Sequence, residues 1–263
     1  MQAPSPVPIG ATPDQLARIR ADVDRLVADL VRAFQEQVRR SLGVHLDGSV
    51  TSLAYVDHYL AQARGESREA ILTLLAASAG AYFGEVVRGQ IGGHWLGDGK
   101  DPRTLLLALE PSLIYFSPYD LALEAILGES LEAGDPRLPP GHLPDASFHF
   151  PGITPRGARS HQGTRRGKGR AAPTADPDAV EGVDADATDD VRQADVDWVF
   201  DNLAAFAPVS ADHYYSLTCR LETLELIIEL LASREAERGC EPQTYTFDDY
   251  LRALQDVVGT RTR

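Results

Sequence analysis

Two charged side chains, Glu85 and Arg88, stand three residues apart at the end of the most apolar stretch of the chain. On a helix this spacing places both on one face, and partial burial would raise the pKa of the carboxyl group towards values suited to acid–base work. The candidate catalytic residues are Glu85 and His94. The candidate ligand-binding residues are Tyr82, Glu85, Arg88 and Trp95. The alternative is an ordinary solvated helix pair, which stabilises a helix by only a few tenths of a kcal/mol.

The tripeptide Asp-His-Tyr occurs twice, at residues 57–59 and 212–214, each time near the start of a helical pattern. If the fold brought the two copies together, their side chains could bind a metal ion or exchange protons. That alternative metal site consists of Asp57, His58, Asp212 and His213. The competing interpretation is that polar residues are simply favoured at helix N-termini.

The spacing of the remaining candidate residues excludes several other chemistries. No HExxH or ExxH motif occurs, which removes the usual helical zinc and di-iron patterns, and neither Cys219 nor Cys240 has a CxxC partner. Ser78 lies within a helical pattern, whereas a nucleophile elbow needs a strand, a turn and a helix. Residues 97–100 lack the spacing of a phosphate loop and predict a hairpin turn. We therefore expect no metal and no cofactor.

The hydrophobic periodicity predicts an α+β protein that is mostly helical. Helices are predicted over residues 12–43, 52–63, 67–90, 117–131, 210–238 and 246–258. Short apolar runs predict a small three-stranded antiparallel sheet, with strands at 94–96, 104–109 and 112–116. The third helix is apolar on most sides, with Ile71, Leu72, Leu74 and Leu75 among its core residues. Its Gly80 and Gly84 each cost about 1 kcal/mol of helix propensity, so we expect a neighbouring helix or strand to approach closely there.

Composition divides the chain into four segments. They are a disordered N-terminus (1–11), an α+β domain (12–133), a disordered, charged, low-complexity linker (134–189) and a C-terminal helical segment (190–259). The last segment could form a separate bundle or complete the core of the first domain. We favour completion, because the long first helix leaves apolar surface to cover.

The charge balance bears on partners and location. With 39 acidic and 25 basic residues, the formal net charge is −14, which argues against coating nucleic acid or an anionic membrane. The most apolar stretch spans about 14 residues, short of the roughly 20 that cross a bilayer, and the N-terminal residues have no signal-peptide pattern. Lys100 and Lys168 are the only lysines and Asn202 is the only asparagine, a bias typical of GC-rich bacterial genomes. We expect a cytoplasmic bacterial protein.

One segment resembles a known type of domain. Residues 80–87 read Gly-Ala-Tyr-Phe-Gly-Glu-Val-Val, and Gly-Gly-His-Trp follows at 92–95. Over residues 67–131 the chain resembles uncharacterised bacterial domains with a G-x-Y-x-G-E helix that leads through G-G-x-W into a short sheet. Some of these domains occur in small accessory or immunity-type proteins. The resemblance implies an α+β fold and no particular reaction.

The functional expectation follows from the lack of an assembled catalytic motif. We expect a non-enzymatic protein that acts by binding another macromolecule, in an accessory, immunity-like or regulatory role. The expected partner is a protein. The alternative is a small hydrolase that has either Glu85 and His94 or the two Asp-His-Tyr sites in a cleft.

Overall fold

The computed structural model describes residues 12–131, 148–151, 185–206 and 209–260. The predicted disordered N-terminus and most of the predicted linker lie outside these ranges. Within them the chain is an α+β protein, mostly helical with one three-stranded antiparallel sheet, as predicted. The described residues up to Pro151 and from Val209 onward form one compact unit. Helix α5 (Ala185–Ala204) belongs to a second unit.

Helix α1 (Pro13–Leu42) begins and ends at signals that are local in sequence. Thr12 and Gln15 form a reciprocal capping box with Pro13 at the first helical position. At the other end Gly43 has a φ of 69°, and its N–H donates to the carbonyl of Arg39. One stripe of the helix is buried and consists of Val23, Val27, Leu30, Phe34 and Val38, so α1 lies on the unit with its opposite face in solvent.

Helix α3 (Glu69–Ile91) is the centre of the first unit and packs against α1 and against α4 (Pro118–Leu127). Helix α2 (Leu53–Gln62) lies beside α4 and α1. A Cβ on Gly80 would lie 2.6 Å from the carbonyl carbon of Pro118, and one on Gly84 would overlap the ring of Trp95. The expected close approaches at both glycines are therefore confirmed, one to a helix and one to a strand.

The sheet has the order β1 (Gly93–Leu96), β2 (Leu106–Leu109) and β3 (Tyr115–Phe116). Two of these strands are shorter than predicted, because residues 102–104 form a 3₁₀ turn and residues 110–113 form the β2–β3 turn. Trp95 pairs with Leu107, which pairs with Phe116, so these three side chains share one face. This face packs on α3, where the rings of Phe83 and Phe116 lie 6.0 Å apart.

The other face of the sheet is covered by α8 (Phe247–Thr260). Phe247 and Tyr250 pack on Leu96 and Ala108. The buried Tyr250 hydroxyl accepts from the N–H of Ile114 at 2.8 Å and lies within 2.8 Å of the carbonyl oxygens of Leu109 and Ser112. The C-terminal helix thus closes the core of the first unit by satisfying the backbone of the β2–β3 turn.

The predicted helix over 210–238 is wrong in one respect, because it is two helices. Ser210 caps a single turn, α6 (Ala211–Tyr214), and Ser216 then caps α7 (Leu217–Glu237) by accepting from the N–H of Cys219. The chain therefore turns at Tyr215 and Ser216, and α7 packs on α2 and α4.

Helix α3 is the one helix among the described residues that is long and apolar enough to cross a membrane. Of its most apolar window, 72% is buried inside the protein. It is thus a core helix, as the length of its apolar stretch predicts.

Candidate functional site

Glu85, Arg88 and Trp95 form one hydrogen-bonded cluster at the junction of α3 and β1. Arg88 donates from two guanidinium nitrogens to the two oxygens of Glu85, at 2.8 and 2.7 Å. The indole Nε1 of Trp95 donates to Glu85 Oε1 at 2.7 Å. Burial acts to raise the pKa of Glu85, but the hydrogen bonds from Arg88 and Trp95 outweigh it and hold that pKa below its ordinary value. The raised pKa expected for an acid–base residue is therefore wrong.

This cluster lines a cleft of about 490 Å³ against α1, whose walls include Asp24, Val31 and Gln35. Three of the four proposed ligand-binding residues, Glu85, Arg88 and Trp95, therefore share one cleft. Both oxygens of Glu85 already accept hydrogen bonds from its neighbours. The cluster as it stands clamps α3 to the first strand.

Tyr82, the fourth proposed ligand-binding residue, lies in the core instead of in the cleft. Its side chain is buried, and its hydroxyl shares a hydrogen bond of 2.5 Å with Ser52 and accepts from the N–H of Gly48 at 3.0 Å. Burial raises the pKa of Tyr82. Its contacts fix the loop before α2 onto α3, which is a packing role.

His94 and Glu85 are not brought together. His94 precedes Trp95 on a strand, so its side chain points to the opposite face of the sheet from the one that meets Glu85. There His94 Nε2 lies 3.6 Å from Glu110 Oε1, and both side chains are partly exposed. The two candidate catalytic residues therefore face different sides of the sheet.

The two Asp-His-Tyr tripeptides have different roles. Asp57 on α2 accepts from the backbone N–H groups of Leu217 (2.7 Å) and Thr218 (3.2 Å) and from the Thr218 hydroxyl (2.5 Å). Burial raises the pKa of Asp57 against the opposing effect of these hydrogen bonds. Asp57 is thus a tertiary cap for the first turn of α7.

The other members of the four-residue set lie at the surface. His58 shares a hydrogen bond of 2.8 Å with Gln62, one turn along the same helix. Asp212 pairs with Arg64 at 2.5 Å and is 77% exposed. His213 is also exposed. Within the described part of the chain, the ligand atoms of these four side chains do not converge, so the alternative metal site is not assembled.

The sequence interpretation missed a second cleft, which lies between α1 and α3. It has a volume of about 460 Å³ and is lined by Leu30, Glu69, Ala70, Thr73, Leu74, Ala77 and Pro102. Leu74 was expected in the core, yet it is 59% exposed, and Ile71, one turn earlier, is 38% exposed. The signal that could have revealed this cleft is the apolar character of α3 on nearly all its sides, more than one core face needs.

Ser78 lies inside α3 as expected, and its hydroxyl donates to the carbonyl of Leu74 one turn back at 2.8 Å. It is therefore a small residue of the helix and not an exposed nucleophile.

Comparison of the chain with protein-family models, with curated proteins and with solved structures gives no match.

Proposed function

We propose that this protein acts by binding another protein, and that the cleft between α1 and α3 is its binding surface. The observation that carries the proposal is the exposure of Leu74, a large apolar side chain on the wall of an apolar cleft. Among the described residues of the first unit it is the most exposed large apolar side chain. Contiguous exposed apolar surface in a cleft is typical of protein-interaction sites.

The shape of the cleft favours a helical partner segment. Ala70, Leu74 and Ala77 follow each other at four- and three-residue steps along α3, which makes one wall of a straight groove, and Leu30 of α1 belongs to the other. The apolar face of an amphipathic helix fits a groove of this kind. Glu69 at one end of the groove and the net charge of −14 favour basic residues beside the apolar face of the partner.

Two further features support the proposal. The α3 wall of the cleft lies inside residues 67–131, the segment that resembles uncharacterised bacterial domains, some of which occur in accessory or immunity-type proteins. The polar side chains that could have formed a hydrolytic site are instead held in structural contacts, with Glu85 and His94 on opposite faces of the sheet. We place the protein in the cytoplasm as part of the same proposal, since Cys219 and Cys240 are both free thiols.

Site-specific crosslinking tests the proposal. A photo-crosslinking amino acid is placed at position 74 and, in a control, at Tyr55, which is 47% exposed on α2 but does not line the cleft. We expect the same protein to be captured in source cells from position 74 and not from position 55. The captured protein is then purified and its dissociation constant is measured.

The purified pair gives the decisive result. Leu74→Asp should weaken binding at least tenfold, because it places a charge at the centre of an apolar interface, whereas Tyr55→Asp should leave the dissociation constant unchanged. Equal capture from both positions, no captured protein at all, or equal affinity of the Leu74→Asp variant would overturn the proposal.

A further inference from the structure

Three side chains of different ligand type converge at the junction of α6 and α7. The imidazole of His213, the thiol of Cys219 and the carboxylate of Glu222 each offer one ligand atom, and these atoms all lie within 4.8 Å of one another. His213 and Glu222 are exposed and Cys219 is half-buried. The site is separate from the cleft between α1 and α3, and it is independent of the proposed function.

The local structure explains why these three residues meet. Cys219 and Glu222 are three apart on α7, so they share one face of that helix. The turn at Tyr215 and Ser216, which the predicted continuous helix lacks, folds α6 back and brings His213 to the same face. Ser216 fixes the turn, since its hydroxyl donates to the carbonyl of His213 at 2.7 Å and accepts from the N–H of Cys219 at 3.1 Å.

We infer that His213, Cys219 and Glu222 bind a divalent cation of the zinc type, with a fourth coordination position open to solvent. Thiolate sulfur, imidazole nitrogen and carboxylate oxygen are the ligand atoms that Zn²⁺ takes in proteins, and a thiolate disfavours Mg²⁺ and Ca²⁺. In a tetrahedral site with bonds of about 2.0–2.3 Å, ligand atoms lie roughly 3.3–3.8 Å apart. The separations of up to 4.8 Å between the three ligand atoms are wider than this, so ion binding requires the exposed His213 and Glu222 side chains to close in on Cys219.

The charges around the site also favour a cation. Cys219 lies in the first turn of α7, where the N–H groups of the helix would repel a cation. Asp57 offsets this effect, because its carboxylate accepts from the N–H groups of Leu217 and Thr218. Burial raises the pKa of the Cys219 thiol, so a bound ion must displace its proton to form the thiolate, which together with the carboxylate of Glu222 supplies two negative charges for a doubly charged ion.

The chain contains matched controls for each kind of ligand. Zn²⁺ binding to the full-length protein is measured by equilibrium dialysis with metal analysis. Co²⁺ is used as a second probe, because thiolate-to-cobalt charge-transfer absorption reports a bound sulfur. The ligand variants are His213→Ala, Cys219→Ser and Glu222→Gln. The controls are Cys240→Ser, which removes the other cysteine, and His58→Ala, which removes the histidine of the other Asp-His-Tyr copy.

We expect one Zn²⁺ per chain in the parent protein and in both controls. Each ligand variant should raise the Zn²⁺ dissociation constant. The increase should exceed roughly 10–100-fold, which is the loss of affinity when a metal ligand loses only a hydrogen-bonding partner. Cys219→Ser should also abolish the charge-transfer band, and Zn²⁺ should raise the melting temperature of the parent but not of this variant. His213 and Glu222 are exposed, so their variants remain informative even if Cys219→Ser folds poorly.

Three outcomes would overturn the inference. They are the absence of stoichiometric Zn²⁺ in the folded parent protein, full binding by the His213→Ala and Glu222→Gln variants, and an equal loss of binding in Cys240→Ser or His58→Ala.

Discussion

Glu124 and Arg220 form a buried ion pair of 2.8 Å between residues 96 positions apart, and their side chains are only 1% and 4% exposed. The other oxygen of Glu124 accepts from the backbone N–H of Leu131 at 3.2 Å. The guanidinium of Arg220 also lies over the ring of Tyr214, 4.5 Å from its centroid. This pair joins α4 to α7, and thereby the N-terminal part of the first unit to its C-terminal helices.

Breaking this pair from one side should be costly. Arg220→Met removes the guanidinium that neutralises the buried Glu124 carboxylate, and we expect a loss of about 3–5 kcal/mol in the free energy of unfolding. The double variant Glu124→Leu, Arg220→Met removes both charges and should recover most of that loss. A residual cost of about 1–3 kcal/mol should remain, because the N–H of Leu131 loses an acceptor. Urea unfolding measures both values, and additive losses would contradict this account.

Two glycines of the same helix should respond oppositely to alanine. At Gly80 a Cβ would lie 2.6 Å from the Pro118 carbonyl carbon and 2.9 Å from the Tyr119 nitrogen, so α3 and α4 would have to separate. We expect Gly80→Ala to lower the free energy of unfolding by at least about 1–3 kcal/mol. Gly89 is exposed, and a Cβ built on it would have nothing within 4 Å. Gly89→Ala should therefore raise the free energy of unfolding by up to about 1 kcal/mol. Thermal unfolding of both variants checks the contrast, and a loss of stability in Gly89→Ala would show that the helix itself resists the change.

The elements with local signals could be predicted from the sequence. The caps at Thr12 and Ser117, and the stop at Gly43, depend only on neighbouring residues, so α1 and the start of α4 lie where the pattern indicates. The break between α6 and α7 was not predicted, because the apolar periodicity that indicates this helix begins only at Leu217 and does not distinguish Ser216 from Ser210 as its cap. Ser216 is as strong a cap signal as Ser210. The hydrogen bond that the Leu217 N–H donates to Asp57 further stabilises the start of α7 at this point.

The candidate site depends on which faces the fold covers, and a single sequence does not carry that information. The period of two along a strand could have shown that His94 and Trp95 point to opposite faces. The ring of Trp95 packs against Gly84, which decides the face that Glu85 meets. Likewise, the exposure of Leu74 follows from the position of α1 across α3, which no local pattern determines.

Asp57 should stabilise the fold through α7 and not through its own helix. Asp57→Ala removes the acceptor of the Leu217 and Thr218 N–H groups, and we expect it to lower the free energy of unfolding by about 1–2 kcal/mol. The matched control is Asp212→Ala, from the other Asp-His-Tyr copy. Asp212 forms an exposed pair with Arg64, so this variant should change the free energy of unfolding by less than about 0.5 kcal/mol. Hydrogen exchange should show faster exchange in the first turn of α7 in Asp57→Ala alone. Equal effects of the two variants would contradict the capping role.

Acid should release Trp95 from Glu85. The hydrogen bonds from Arg88 and Trp95 hold the pKa of Glu85 below its ordinary value despite partial burial, so the folded state binds this proton less readily than the unfolded state. The resulting stabilisation is complete above the unfolded pKa of about 4.3 and is lost as the pH falls through the lower folded pKa.

In a Trp198→Phe background, Trp95 is the only tryptophan, and its fluorescence reports the indole whose N–H donates to Glu85. We expect an acid transition in this fluorescence at a pH below the ordinary pKa of a glutamate side chain, with the free energy of unfolding falling over the same range. Glu85→Gln should abolish that transition and cost about 1 kcal/mol at neutral pH, because a charged acceptor is replaced by a neutral one. The same transition in Glu85→Gln would assign it to another group.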